Sequence, residues 1–176
     1  MLQQLNKAFI FVVALIGVQA FASAIINIED LRLEGEIGLF QSISGSVDTS
    51  RGNRDRDYYT FTYRIDNNSD SVDSFLVLSQ SERKYIGNVI DESNFFHGRL
   101  VFKNESNLHY ELFAQRSENP FRNYRQREVM GLGVRYLIND HARFGFAFIN
   151  EDEEDLNMIK TETDRLNIYF HDDFEI

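Results

Sequence analysis

Histidine and glutamate residues on predicted strands are the first candidates for chemistry in this chain. His97 and His109 fall on the polar faces of two neighbouring predicted strands, beside Arg99 and Glu111. Imidazole and carboxylate groups brought together in this way could bind a metal ion or relay protons. The chain has no His-Glu-x-x-His spacing, and arginine beside glutamate favours a hydrogen-bonded cluster in which the charges neutralise each other. We therefore expect no metal site and no cofactor.

Three serines on the first predicted strand are the candidate nucleophiles. Ser42, Ser44 and Ser46 alternate along that strand, and His171 on the last predicted strand would be their neighbour if the sheet closed. A hydrolase needs a histidine and an acid beside its nucleophile. Small residues that leave room for arginines on the opposite wall explain the serines more simply, so we do not expect an enzyme.

Acidic residues concentrate between the predicted strands, most densely in the run 151–155. Asp48, Asp55 and Asp57 form a second acidic group. Neither group has the spaced Asx and Gly pattern of a calcium-binding loop. We expect solvated acidic loops, which could also bridge through divalent cations to anionic lipopolysaccharide. The net charge of −10 argues against nucleic acid as a partner.

Apolar residues at nearly every second position predict the elements that must hold these side chains. Successive side chains of a strand point to opposite faces, so each such segment has one apolar face and one polar face. We predict eight strands, at roughly 34–47, 57–66, 73–82, 94–102, 107–116, 124–138, 141–149 and 162–174. The predicted connections 48–56, 83–93, 117–123 and 150–161 are long, and those at 67–72, 103–106 and 139–140 are short.

This alternation of connection lengths is typical of outer-membrane barrels, which have short periplasmic turns and longer outer loops. The predicted fold class is all-β: an antiparallel up-and-down transmembrane β-barrel of about eight strands, or part of a larger barrel if the chain is truncated. Nine polar-face residues are predicted to line the lumen: Arg64, His97, Arg99, His109, Glu111, Arg127, Arg135, Arg143 and Arg165. On a soluble barrel the same residues would form a solvated outside, and periodicity alone leaves that alternative open. Aromatic residues near the ends of the apolar faces favour the membrane.

The N-terminal segment predicts export. Residues 1–24 combine Lys7, an apolar run at 8–18 and small residues at 22–24, which is the pattern of a Sec-type signal peptide. Cleavage after Ala24 would leave residues 25–176 as one outer-membrane barrel domain. No later segment is long and apolar enough for a transmembrane helix. The chain contains no cysteine, which excludes a disulfide scaffold and thiol chemistry.

The segment 110–153 resembles the salt-induced outer-membrane protein family, whose domain is designated domain of unknown function 481. The similarity is sharpest in a Glu-x-Phe-x-Gln strand at 111–115, the loop 119–122 and the glycine-arginine strand 127–136. Members tend to be longer, with further strands after the region that matches 162–174, and they commonly end in an aromatic residue that is absent here. The resemblance implies an outer-membrane barrel without known enzymatic activity.

The sequence thus predicts a non-enzymatic outer-membrane barrel with an envelope-related or stress-related role, a lumen filled by polar side chains and acidic outer loops. Its expected partners are membrane lipid, lipopolysaccharide, and the periplasmic chaperone and barrel-assembly machinery. Two alternatives remain open. One is a small anion-preferring channel, formed as a larger barrel or an oligomer. The other is a soluble periplasmic binding barrel of the lipocalin type.

Overall fold

The computed structural model of the chain describes residues 37–139 and 142–172. Eight antiparallel strands form one sheet in chain order. They are β1 (Gly38–Ser50), β2 (Arg56–Asn68), β3 (Val72–Tyr85), β4 (Asn88–Phe102), β5 (Leu108–Asn119), β6 (Tyr124–Leu137), β7 (Ala142–Asp155) and β8 (Lys160–Asp172). One turn of 3-10 helix, Pro120–Arg122, follows β5. The predicted all-β fold with eight antiparallel up-and-down strands is confirmed, whereas the predicted signal peptide lies outside the described residues.

Five of the eight strands, namely β2, β3, β4, β5 and β7, are longer than predicted, and the connections predicted to be long are correspondingly short. Each strand has 12 to 15 residues. The predicted alternation of long and short connections is wrong, because the long ones shrink to 51–55, 86–87, 120–123 and 156–159. The acidic run 151–155 is the last part of β7 rather than a loop. Charged residues continue the strands there because cross-strand ion pairs stabilise them in place of apolar contacts.

The turn between β3 and β4 shows why one predicted loop is so short. Its two central residues both have positive φ angles, 48° at Ile86 and 77° at Gly87. That conformation is characteristic of a type I′ hairpin turn. Isoleucine rarely adopts it, so the sequence does not predict a turn at this position. The Ile86 amide donates to the Asp55 carbonyl at 2.9 Å, which ties this turn to the β1–β2 connection.

A side chain closes the turn between β7 and β8. The Asp155 carboxylate accepts hydrogen bonds from the backbone amides of Ile159 and Asn157, both at 2.8 Å. These bonds stabilise the charged form and hold the pKa of Asp155 below its ordinary value. The acidic residue at this position therefore serves the turn.

The two edges of the sheet are open in the part of the chain that the structure describes. Among residues 37–139 and 142–172, β1 pairs only with β2 and β8 pairs only with β7. Residues 41–50 of β1 are exposed on both faces. The predicted closure of a barrel through β1 and β8 therefore stays a prediction. None of the described residues forms a helix long and apolar enough to span a membrane.

The two faces of the sheet have opposite character. The buried face carries Glu111 and Arg135, each 2% exposed, together with a small apolar group around Val129. The exposed face carries large apolar side chains, including Leu132 at 59% and Leu166 at 67% exposure. Charged residues are seldom buried and apolar ones are usually inside in a soluble domain. The exposed face of this sheet is therefore its apolar face, which is the reverse of the arrangement in a soluble domain.

Candidate functional site

All nine residues predicted to line the lumen lie on the buried face. Cross-strand register establishes this, because directly opposed residues share a face. His97, for example, is opposite Val77 and Gln115, and Arg135 is opposite His109 and Gly145. The nine do not form one cluster. Most of them divide into separate groups, each organised by a carboxylate or by aromatic rings.

Glu111 of β5 organises the most buried group, which we name the Glu111 cluster. Its carboxylate lies 3.3 Å from Nη2 of Arg135 and 3.6 Å from Nη1 of Arg99. The Tyr169 hydroxyl donates to Glu111 Oε1 at 3.4 Å and accepts from Nε of Arg135 at 3.1 Å. The cluster therefore connects β4, β5, β6 and β8. Glu111, Arg99 and Arg135 are among the residues predicted from the sequence, whereas Tyr169 is not.

Glycines make room for the Glu111 cluster. Tyr169 lies across β7 at Gly145, where a Cβ atom would collide with the tyrosine ring. A Cβ on Gly133 would approach Oε1 of Glu111 to 3.2 Å and the Phe146 carbonyl to 2.8 Å. Glycine inside a strand often marks such a close approach. These glycines let long side chains lie flat over the neighbouring strands.

His97 belongs to an aromatic group rather than to a metal site. Its ring stacks with those of Phe75, Phe95 and Phe113, at centroid distances of 5.5, 6.3 and 6.2 Å. The Arg99 guanidinium lies over the Phe113 ring, 5.2 Å from its centroid. The imidazole is 1% exposed. Its surroundings are therefore largely apolar rings.

The alternative of a His97–His109 metal cluster does not fit the register. His97 is opposite Gln115 of β5, six residues from His109 on the same strand. Six residues of strand span about 20 Å. Among the residues in 37–139 and 142–172, no group of three His, Asp or Glu side chains is placed to hold a metal ion.

Glu151 of β7 organises a second group, which we name the Glu151 cluster. Its carboxylate lies 2.7 Å from Nη2 of Arg165 and 3.4 Å from Nε of Arg127. Arg127 also pairs with Glu153 and lies over the Tyr124 ring, 4.6 Å from its centroid. Glu151 is 4% exposed. The prediction of an acidic loop here is wrong. Glu151 and Glu153 continue the two-residue alternation that begins at Ala147, and this alternation could have placed them on the buried face of a longer strand.

The remaining predicted residues lie nearer the ends of the buried face. Arg64 makes a bidentate pair with Asp66, with both contacts at 2.5 Å. Arg143 is buried and opposite His171, and His109 lies at the start of β5. Further buried polar residues that sequence analysis misses are Asp66, Gln115, Ser117 and Asn119. They share the phase of the arginines, which is the signal that could have identified them.

The candidate nucleophiles are not assembled. Ser42, Ser44 and Ser46 lie on the exposed strand β1, at one edge of the sheet. His171 lies on β8, at the other edge, and the two strands do not pair within the described residues. Ser46 instead hydrogen-bonds Thr60 at 2.7 Å.

Charge is distributed unevenly at one end of the sheet. We name this the charged end; it carries the connections 51–55, 86–87, 120–123 and 156–159. On β5 to β8 its exposed face carries mainly carboxylates: Glu118, Glu128, Asp152, Glu154, Glu162 and Asp164, with Arg116 among them. On β1 to β4 the charged end carries five cationic side chains on its two faces, interspersed with carboxylates. The cations are Arg51, Arg54, Arg56, Arg83 and Lys84, and the carboxylates include Asp48, Asp55, Asp57, Glu82 and Asp91.

Comparisons of the chain with protein-family models, with curated proteins and with solved structures find no match. The resemblance to the salt-induced outer-membrane protein family therefore stays a prediction. The geometry shows a sheet whose buried face carries ion-pair clusters and whose exposed face is apolar except at the charged end.

Proposed function

We propose that this protein is a non-enzymatic outer-membrane β-barrel with an envelope-related or stress-related role, whose lumen is filled by its own ion pairs. The inverted distribution of polar and apolar side chains carries this proposal. In a membrane barrel the apolar face contacts lipid and the interior is polar. The Glu111 and Glu151 clusters would then be the filling of the lumen.

The exposed apolar side chains favour lipid over water as the surrounding solvent. Leu112, Leu132, Phe148 and Leu166 are opposed in register across four strands and are 40% to 67% exposed. Full burial of a large apolar side chain contributes about 1.5–3 kcal/mol, and a side chain left about half exposed in water forgoes roughly half of that. A soluble lipocalin-type barrel would place such residues inside and would not fill its interior with charge. This argues against the soluble alternative.

The slope of the apolar band across the strands also fits a barrel. Thr62 lies at the centre of the apolar stretch 59–65 of β2 and is in register, strand by strand, with Thr161 of β8. The apolar stretch of β8 is centred on Ile168, seven residues away. Seven residues correspond to about 24 Å along the strands, and the six strand spacings from β2 to β8 correspond to about 29 Å across them. If the apolar band lies level in a membrane, the strands tilt by about 40° from the barrel axis. Strands of transmembrane barrels tilt by about 35–45°.

Closure of the barrel follows if the sheet lies in lipid. Unpaired backbone groups in hydrocarbon each cost several kcal/mol, so open edges are not tolerated there. Small residues on β1, such as Ser44, would face large ones on β8, such as Tyr169, if the two edges paired. An eight-stranded interior is only wide enough for its own side chains, which argues against an open pore. Before insertion the exposed apolar face would need periplasmic chaperones and the barrel-assembly machinery, and afterwards it would contact lipid and lipopolysaccharide.

A lipid-facing arginine discriminates between the environments. Leu132→Arg should prevent assembly in the outer membrane, because an arginine near the bilayer midplane costs about 2–4 kcal/mol. In a soluble protein the same exposed leucine would tolerate arginine. Asp152→Arg, on the exposed face at the charged end, is the control and should assemble normally. The readouts are outer-membrane fractionation and heat-modifiable gel mobility; recovery of the folded wild-type chain in the soluble periplasmic fraction would refute the proposal.

A second candidate function is an anion-preferring channel in a larger barrel or an oligomer. The two open sheet edges within the described residues favour it, because further strands could pair there. The arginine excess on the buried face would then select anions. Planar-bilayer recordings test it, and the absence of current at high protein load would reject it.

A further inference from the structure

A hollow of about 580 Å³ lies at the charged end of the sheet, between the β1–β2 and β3–β4 hairpins. Basic and tyrosine side chains dominate its lining: Arg54, Arg56, Arg83, Lys84, Tyr58 and Tyr85, with Asp48, Ser50, Asp57 and Ile90. The hydrogen bond from the Ile86 amide to the Asp55 carbonyl joins the two hairpins beside it. The Gly52 amide donates to Oδ1 of Asp55 at 2.8 Å, which shapes the first hairpin. One backbone hydrogen bond between the two hairpins and one bond within the first hairpin therefore support the hollow.

The cations around the hollow differ in how they are neutralised. Arg51 pairs with Asp57 at 2.5 Å, and Lys84 pairs with Glu82 at 2.7 Å. Within the described ranges, the guanidinium groups of Arg54, Arg56 and Arg83 make no ion pair with a carboxylate. Arg83 is instead held over the ring of Tyr58, 5.0 Å from its centroid.

Two aspartates also face this region and limit its charge. Asp48 is opposite Tyr58, and Asp91 is opposite Arg83 on the neighbouring strand. Asp91 accepts a hydrogen bond from Asn119 at 3.3 Å. The lining therefore holds four cationic side chains, of Arg54, Arg56, Arg83 and Lys84, against two aspartates, Asp48 and Asp57, with Asp91 at its margin. This leaves an excess of positive charge within the hollow.

We propose that this hollow binds a phosphate-bearing ligand through Arg54, Arg56 and Arg83. A guanidinium group matches the geometry of phosphate oxygens and can bind two of them at once. The tyrosine hydroxyls of Tyr58 and Tyr85 supply further donors, and their rings can pack against a sugar. The carboxylates on the β5–β8 side of the charged end would repel an anion, so they restrict it to the β1–β4 side.

The position of the arginines indicates how the ligand would enter. Arg56 and Arg83 share the strand phase of Arg64 and Val77, so they lie on the buried-face side of their strands. The ligand would therefore sit at the mouth of the proposed lumen, above the lipid-facing band. Two sources supply such a group: the phosphates of lipopolysaccharide reaching over the rim, and a free phosphorylated solute. The first source rests on the proposed outer-membrane location, and the second does not.

The experiment compares the folded full-length wild type with a triple variant, Arg54→Gln, Arg56→Gln and Arg83→Gln. Arg116→Gln is the matched control, since Arg116 lies at the charged end but pairs with Glu118 and Glu128. Titration calorimetry in detergent measures the binding of inorganic pyrophosphate, which represents a free phosphorylated solute. Co-sedimentation measures binding of the protein to vesicles that contain either native or dephosphorylated lipopolysaccharide. Heat-modifiable mobility verifies that each variant is folded.

The triple variant should bind at least about tenfold more weakly, and the control should match the wild type. Loss of pyrophosphate binding supports the site with a free solute as its ligand. Loss confined to vesicles with native lipopolysaccharide supports it with the lipid phosphate. Equal binding by all three proteins, or no binding by the folded wild type, overturns the site. That failure leaves the proposed function standing if the wild type fractionates with the outer membrane.

Discussion

Removal of the Glu111 carboxylate is the most direct test of a lumen filled by ion pairs. The side chains of Glu111 and Arg135 are 1% and 2% exposed, and that of Arg99 is 9% exposed. Glu111→Ala would leave two guanidinium groups without this carboxylate in a largely buried site. Breaking a buried ion pair by removing one partner costs about 3–5 kcal/mol. We expect the free energy of unfolding to fall by that amount.

A surface ion pair provides the matched comparison. Glu128→Gln breaks the pair with Arg116, whose side chains are 41% and 51% exposed, respectively. Exposed pairs contribute about 0–1 kcal/mol, because water screens them and both side chains lose entropy. This variant should therefore unfold at nearly the urea concentration of the wild type.

The assay is urea-dependent unfolding and refolding in detergent micelles, followed by heat-modifiable gel mobility and far-ultraviolet circular dichroism. Glu111→Gln adds a further point, because it keeps the size of the side chain and removes its charge. It should fall between the wild type and Glu111→Ala. If Glu111→Ala lost less than about 1 kcal/mol, water would already screen the buried face. A lumen filled by ion pairs would then be refuted, and a hydrated channel would describe the protein better.

Three further predictions concern the sheet itself. Gly145→Val should destabilise the protein by about 1–3 kcal/mol in the same assay, because the new side chain collides with the tyrosine ring above it. Unchanged stability would mean that the ring does not lie there. Ile86→Asn should stabilise the protein by about 1 kcal/mol, since asparagine tolerates a φ of 48° better than isoleucine does; a lower urea midpoint would contradict this. The apolar band shifts along the strands by about one residue from each strand to the next. If β1 and β8 pair so that this shift continues around a closed barrel, Val47 lies opposite Leu166. Cysteines at these two positions should then form a disulfide in the folded protein, whereas a Val47 and Phe170 cysteine pair should stay reduced; the opposite result would reject this register.

Residue alternation predicts much of this fold because burial on one face imposes a period of two. The phase of Arg135 and Arg143 correctly places both on the same face as Glu111. Strand ends are harder to predict. Glu151 and Glu153 look like loop residues in the sequence because their stabilising contacts with Arg127 come from another strand.

Contacts within the candidate site depend on register, which local sequence does not determine. His97 and His109 share a face, but the β4–β5 pairing places His97 opposite Gln115. Tyr169 reaches Glu111 only because Gly145 leaves space beneath its ring. Neither relationship follows from composition or periodicity, since each needs the alignment of several strands.

The hydrogen bond from Tyr169 to Glu111 spans 58 residues of chain, whereas Arg64 and Asp66 are two residues apart. Closing the longer loop costs more chain entropy, so the Glu111 cluster can be completed only after β8 has added to the sheet. Until then Glu111 lacks the hydrogen bond from Tyr169, which is one of its three partners in the Glu111 cluster. The β4–β8 part of the sheet should therefore fold in a single cooperative step, and the addition of β8 should limit its rate. The ion pair between Arg64 and Asp66 within β2, in contrast, can form early, because the two residues are close in sequence.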